Sequence, residues 1–243
     1  MKYARFYCEN IDTGLTAITG SELHHLTKVL RLNVGDEVEL FDGRGIKASA
    51  VITEISKASA KLKIRQSQAQ KPRATGRIII AVSVAKGSRF DWLISKCVEL
   101  GVDRVMPVIF ERTVKLAKGE QANERYNKLA IEAARQCGRM FLPKIDAPCS
   151  LAECVENLKE DYPKGLVLFG SLAKGAKSII DCDIADNDMT AFIGPEGGMT
   201  EQEEKLLIDN GAIGVRLTET ILRVETAALA FAAVLTAKRD FSG

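Results

Sequence analysis

Residues Gly194-Pro195-Glu196-Gly197-Gly198 constrain the fold of this chain more than any other stretch. They follow the apolar run Thr190-Ala191-Phe192-Ile193, which predicts a strand. Three glycines and a proline then make a turn that side chains cannot crowd, and glycine lets a ligand approach bare backbone. A helix is predicted next, with Thr200 as N-cap and Glu203 as its capping-box partner. Asn210-Gly211 supplies the stop. A strand that exits through a glycine turn into a helix start is a ligand-site geometry of open α/β sheets.

A second segment strengthens that reading. Gly214-Val215-Arg216-Leu217 predicts another buried strand, and its exit runs through Thr218-Glu219-Thr220-Ile221-Leu222-Arg223 into an alanine-rich helix that continues to about Lys238. Arg223 and Glu225 sit where two apolar segments join. Charges at such a junction need partners or water, which favours a cleft over a closed core.

Periodicity divides the chain. Its first 70 or so residues alternate as β-structure, with strands around Val38 and Leu40, over Ile46–Ile55 and over Ala60–Arg65, and a hairpin turn at Asp42-Gly43-Arg44-Gly45. Between Ser21 and Arg31, Leu23, Leu26 and Leu30 predict a short amphipathic helix. A small β-barrel with one helix is the natural closure, because it removes exposed edges. The polar stretch Gln66–Gly76 predicts a linker, giving domains 1–70 and 77–243 with residues 71–76 between them. Beyond it, Ile78–Val84 is a continuous apolar run, as expected of a strand buried on both faces. Strands at Val105–Phe110, Leu166–Phe169, Thr190–Ile193 and Gly214–Leu217 alternate with helical spacings at Phe90–Val98 and Tyr126–Cys137, which implies a parallel sheet covered by helices.

Net charge is only +2, yet residues 1–75 hold 12 Lys and Arg against 8 Asp and Glu, and the rest hold 22 against 24. From Arg44 to Arg73 there are eight basic residues and one acidic residue, Glu54. Such a face attracts phosphate, although a solvated face of a small β domain would look the same. No apolar run approaches the roughly 20 residues of a membrane span, and no apolar leader opens the chain. The six cysteines contain no C-x-x-C pair and predict reduced core residues of a cytoplasmic protein without a metal site.

The Gly194–Gly198 and Ile221–Ala227 motifs, in this order and spacing, resemble the C-terminal domain of SPOUT RNA methyltransferases. The resemblance is closest to the bacterial family that methylates uridine N3 in small-subunit (16S) ribosomal RNA. It is shared by His25–Arg31, Lys86-Gly87-Ser88-Arg89, Lys96–Val102 and Glu132–Arg139, and so covers nearly the whole chain. It implies a PUA-like RNA-binding barrel followed by a parallel α/β domain with a trefoil knot, a homodimer, and S-adenosylmethionine as methyl donor. It assigns cofactor contacts to Phe169, Gly170, Ile193, Gly194, Glu196, Gly197, Gly198, Leu217, Thr218, Ile221, Leu222 and Ala227. Thr218 stands where that family usually has glycine, so this loop is expected to differ locally.

Methylating N3 requires an unpaired or flipped base, since N3–H lies on the Watson–Crick edge. Charge that develops on O2 and O4 calls for a guanidinium, for which Arg223 and Arg139 are the candidates, and a carboxylate, Glu225 or Glu196, could take the proton. Arg5, Arg31, Lys86 and Arg89 are candidates for RNA phosphate contacts. A ribose 2′-O-methyltransferase of the same superfamily, or an RNA-binding protein without catalysis, are the alternative readings.

Overall fold

In a computed structural model, residues 3–11, 14–84, 87–113, 121–183 and 187–241 are described. By their contacts they divide into two units: one made of residues 1–72 together with Ile131–Leu142, the other of Arg73–Ala130 and Pro143–Gly243.

The first unit opens with β1 (Ala4–Tyr7), β2 (Leu15–Ile18) and α1 (Gly20–His24), followed by β3 (Glu37–Phe41), β4 (Ile46–Ile55) and β5 (Ala60–Ala69). Its sheet order is β1-β3-β4-β5-β2, with β1 parallel to β3 and the other pairs antiparallel. Alternation decides which side chains go inward: Ala60 and Leu62 are buried while Lys61 and Lys63 are exposed. Phe6 from one edge strand and Ile18 from the other share one core with Leu23, Leu26, Leu40 and Ile52, so the sheet is coiled around that core. Two register shifts in β4, at Ser49/Ala50 and Ile52/Glu54, supply the bend that coiling needs.

Two local expectations are corrected here. The helix predicted over Ser21–Arg31 is α-helical only through His24. It then widens into a π-helical turn, His25–Val29, whose Leu30 N–H reaches back to the His25 carbonyl. The wider turn keeps Leu23 and Leu26 inside but carries Leu30 out to 40% exposure, off the apolar face its spacing predicts. The polar residues Gln66–Ala69 are strand rather than linker, because backbone pairing with β4 continues to Ile46↔Ala69 whatever the side chains are.

The second unit holds β6 (Ile78–Ser83), α2 (Ser88–Glu99), β7 (Arg104–Ile109), most of α3 (Gln121–Cys137), β8 (Lys144–Ile145), β9 (Cys149–Ser150) and α4 (Leu151–Asp161). After these come β10 (Leu166–Gly170), β11 (Lys177–Ser178), β12 (Met189–Ile193), α5 (Glu201–Asp209), β13 (Ile213–Arg216) and α6 (Val224–Phe241). Every strand pair in this sheet is parallel, in the order β11-β13-β10-β12-β6-β7-β8, with β9 also on β7.

The unbroken apolar run of β6 serves two cores. Ile78, Ile80 and Val82 face the core built with α2 and α6. Ile79 and Ala81 face the core built with α4 and α5. At about 1.5–3 kcal/mol for each fully buried large aliphatic side chain, this strand anchors both layers. Among the described residues, no helix is long and apolar enough to cross a membrane.

Candidate functional site

β10 lies between β12 and β13 in the parallel sheet, so the three strands release their exit loops at one end. Between those loops lies a cleft of about 350 Å³, within the range typical of small-molecule sites. Gly170, Ser171 and Leu172 form one side of it. Ile193, the turn from Gly194 to Met199, and Glu204 form a second. Val215 to Thr218 and Thr220 to Leu222 form the third, and Val224, Ala227 and Phe231 of α6 complete the wall at intervals of three and four residues.

The glycine turn has a stated local cause at two positions. A Cβ on Gly194 would sit 2.8 Å from Met199 Cγ, so any larger residue there would have to displace the Met199 side chain that packs on the turn. Gly198 has φ +74° and donates its N–H to the Pro195 carbonyl at 2.8 Å, closing the turn. The capping box forms as predicted: Thr200 Oγ accepts from the Glu203 N–H, and the Glu203 carboxylate accepts from the Thr200 N–H. Glu203 also accepts from the Glu111 N–H at 2.7 Å, and Arg112 donates to the Gly197 carbonyl at 2.7 Å. The loop after β7 therefore pins the turn from outside. Sequence reasoning missed Arg112, which carries no motif and no periodicity.

Of the residues expected at the cofactor, Gly170, Ile193, Gly194, Glu196, Gly197, Gly198, Leu217, Thr218, Ile221, Leu222 and Ala227 all line this cleft. Phe169 does not. Strand alternation turns it to the opposite core, against α4 and α5, at 2% exposure. Ser171, just past the end of the strand and so free of its alternation, lines the cleft instead, as does Phe231, which the i+4 spacing from Ala227 could have indicated. Thr218 takes the place of glycine without backbone strain, since among the described non-glycine residues only Arg31 has positive φ. Its hydroxyl donates to the Thr220 carbonyl at 2.8 Å and so shapes the loop locally.

The lining is largely apolar side chain and bare backbone, with carboxylates at Glu196 and Glu204 and one guanidinium, Arg216. Arg216 is turned back onto the carbonyls of Thr218 and Glu219, at 3.1 and 3.4 Å. Glu196 is met by Arg89 from outside the lining, and Glu204 has no cation in ion-pair distance among the described residues, so the charge left over in the cleft is negative. It suits an amphiphile with apolar faces that carries positive charge.

Arg223 is exposed and lies between two residues of the lining, Leu222 and Val224. Glu225 is buried at 9% exposure and is not part of the lining; its Oε2 has no hydrogen-bond partner among the described residues. Arg89 is half exposed, with Nη1 3.1 Å from Glu196 Oε1 and 4.0 Å from Glu225 Oε1.

In the first unit, the expected phosphate contact by Arg5 is corrected. Arg5 is 3% exposed, with Nε 2.9 Å from Glu39, hydrogen bonds to the carbonyls of Ala134 and Arg139, and its guanidinium over the Phe41 ring. Burial pushes its pKa down, against the favourable field of Glu39. A side chain spent this way holds the fold and has nothing left for RNA. Arg31 is exposed, at the end of the π-helical turn with φ +55°. Arg139, in the same unit as Arg5, is half-buried. Lys86 lies outside the described residues.

Comparison with known proteins gives a consistent result. The profile of the RNA methyltransferase domain family matches residues 71–236, and that of the RNA methyltransferase PUA domain matches residues 18–65. Ribosomal RNA small subunit methyltransferase E of Bacillus subtilis is 29% identical over 221 residues, covering 88% of this chain and 86% of the relative. Its counterpart in Synechocystis is 31% identical over 223 residues, covering 90% and 72%. The crystal structure of ribosomal RNA small subunit methyltransferase E from Neisseria gonorrhoeae, bound to S-adenosyl methionine, superposes with a TM-score of 0.86 at 30% identity and covers 97% of each chain.

Proposed function

The chain belongs to the RNA methyltransferase family, and on that premise we propose that it methylates N3 of a uridine in small-subunit (16S) ribosomal RNA. The observation that carries the reading is the cleft at the ends of β10, β12 and β13, where a glycine turn and two apolar loops meet under α6. Residues 1–70 act in this reading as the RNA-binding barrel and 77–243 as the methyltransferase domain.

The cofactor is S-adenosylmethionine, as in the structure of the relative from Neisseria gonorrhoeae, and the residues present fit it. Ile193, Leu217, Leu222 and Phe231 offer apolar walls, the glycine turn offers backbone, and Glu196 and Glu204 offer negative charge to a cation. Bound there, it supplies an electrophilic methyl group on a sulfonium.

The chain's own residues must then deprotonate N3 and bear the resulting charge. Glu196 is the better placed of the two carboxylates. It lines the cleft and its side chain is 63% exposed, whereas Glu225 Oε2 is shut away from solvent. The N3–H bond breaks, the proton goes to a Glu196 oxygen, and the electron pair stays on nitrogen. Arg223, at the lip of the cleft, meets the charge that spreads to O2 and O4.

The deciding experiment is mass spectrometry of nucleosides from small-subunit ribosomal RNA of cells with and without the gene. Loss of 3-methyluridine, restored by the wild-type gene, is the expected result. Loss of a ribose-methylated nucleoside instead would point to 2′-O chemistry, and no change in any nucleoside would leave an RNA-binding protein.

A homodimer is part of the same proposal. Thr226, Ala233 and Ala237 leave α6 with exposed small residues at intervals of seven and four, and Leu229, Ala230 and Val234 on the same helix are half-buried. A two-fold partner packs closely against such a face. Light scattering at micromolar concentration should give twice the 26.5 kDa chain mass, and a monomer mass there would end the idea.

A further inference from the structure

Arg89 belongs to the first turn of α2, outside the cleft, yet it touches both of the cleft's facing walls. Its Nη1 lies 3.1 Å from Glu196, which stands on the glycine turn, and 4.0 Å from Glu225, which stands in the first turn of α6. The neighbours of these two carboxylates line the cleft: Pro195 and Gly197 on one wall, Val224 and Ala227 on the other. The two carboxylates have no tie to each other except through this guanidinium among the described residues.

We infer that Arg89 is a positioning residue that clamps the glycine turn to the foot of α6 and so fixes the width of the cofactor cleft. The inference rests on the reading of that cleft as the S-adenosylmethionine site. Three observations support it.

The first is burial. Glu225 is 9% exposed and one of its oxygens has no hydrogen-bond partner among the described residues. A carboxylate in that position needs a cation, and Arg89 is the one within 4.0 Å among the described residues. The second is anchorage. The backbone of α2 is fixed by Phe90, Leu93, Ile94 and Cys97, which share a core with Ala228 and Phe231 of α6. Arg89 is thus held by a rigid element while it holds a loop. The third is the chemistry of the side chain. A guanidinium carries several donors in a fixed plane and can serve two carboxylates at once, which a lysine ammonium on its flexible stem does poorly. The neighbouring acid on α2, Asp91, is engaged by Arg125 and does not compete for Arg89.

Arg89 was expected at an RNA phosphate, and the clamp is a different role with different consequences. An RNA contact leaves the free protein unchanged when it is removed. A clamp alters the empty cleft.

The test uses the full chain. Hydrogen exchange of the 194–200 segment is measured without ligand in wild type, R89A and R89K, and S-adenosylmethionine binding is titrated by calorimetry. R89A should exchange faster over 194–200 and bind the cofactor roughly tenfold more weakly, with R89K in between. Glu196→Gln should weaken binding comparably, and the R89A/E196Q double variant should be no worse than either single one. Unchanged exchange and unchanged cofactor affinity in R89A, with a raised KM for RNA and a flatter salt dependence, would overturn the clamp in favour of phosphate contact. A wild type that binds no S-adenosylmethionine would sink the reading of the cleft instead, and the exchange arm would still decide whether Arg89 holds the turn.

Discussion

Replacing Arg223 with alanine is expected to lower single-turnover methyl transfer by roughly 10²–10³-fold, with affinity for S-adenosylmethionine within about threefold of wild type. The expectation comes from where the side chain stands. Leu222 and Val224, on either side of it, line the cleft, while Arg223 itself is exposed. Its carbonyl accepts from the Ala227 N–H, but its side chain makes no hydrogen bond or ion pair among the described residues, so its guanidinium is not spent on holding the fold. A cation in that position meets little charge before reaction and more as N3 loses its proton. An interaction that strengthens only then lowers kcat rather than cofactor affinity. R223K should recover part of the loss, since the charge is kept and the planar fork is not. Two measurements together check this: the single-turnover rate at saturating RNA, and the calorimetric cofactor affinity. A normal rate for R223A would remove the residue from the chemistry. A rate restored by excess RNA would make it a phosphate contact.

The largest loss of stability is expected at Arg104→Ala, about 3–5 kcal/mol, because it breaks a buried pair from one side. Arg104 begins β7 and is 3% exposed. Its Nε reaches Asp146 and its Nη1 reaches Asp161, at the end of α4. Burial opposes its charge, yet the hydrogen bonds from Asp146 and Asp161 prevail and hold its pKa above the ordinary arginine value. One side chain therefore ties β7 to the segment after β8 and to the last turn of α4. Removing it leaves Asp146, whose side chain is 16% exposed, without this cation. A domain's whole stability is about 5–15 kcal/mol, so the variant should unfold at much lower urea. Arg104→Met should lose clearly less, since it fills the space with apolar atoms. A loss under about 1 kcal/mol for R104A would show the network to be dispensable.

Much of the cleft was legible from residue type and order. Gly194, Gly197 and Gly198 announced a backbone-lined turn because glycine is the residue that tolerates such crowding and such φ. Thr200 and Glu203 announced the helix behind it because a capping box is a local interaction between residues three apart. Phe169 was misplaced because the side a strand residue faces depends on which helices cover that side, and the apolar run Leu166–Phe169 has no polar residue to mark an outer face. Arg5 and Arg89 were both read as RNA contacts because sequence shows a charge and not its partner. Arg5 meets Glu39, Ala134 and Arg139 across more than 30 and more than 120 residues, and Arg89 meets Glu196 across 107.

The sequence by itself determined the local rules: an alternating β segment first, then βα alternation with doubly buried strands, a glycine turn and its capped helix. Each follows from interactions between residues a few positions apart. The trefoil-knotted class of the fold came from resemblance alone, since periodicity carries no information about threading. Tertiary structure decided that β10 lies between β12 and β13, which is what brings three separate loops to one cleft. It also decided which charges are spent and which are free. Glu225 is buried, Arg216 is turned back on its own loop, Arg89 is shared between two carboxylates, and Arg223 stands exposed. Those outcomes depend on burial and on partners far along the chain, and no pattern of neighbouring residues encodes them.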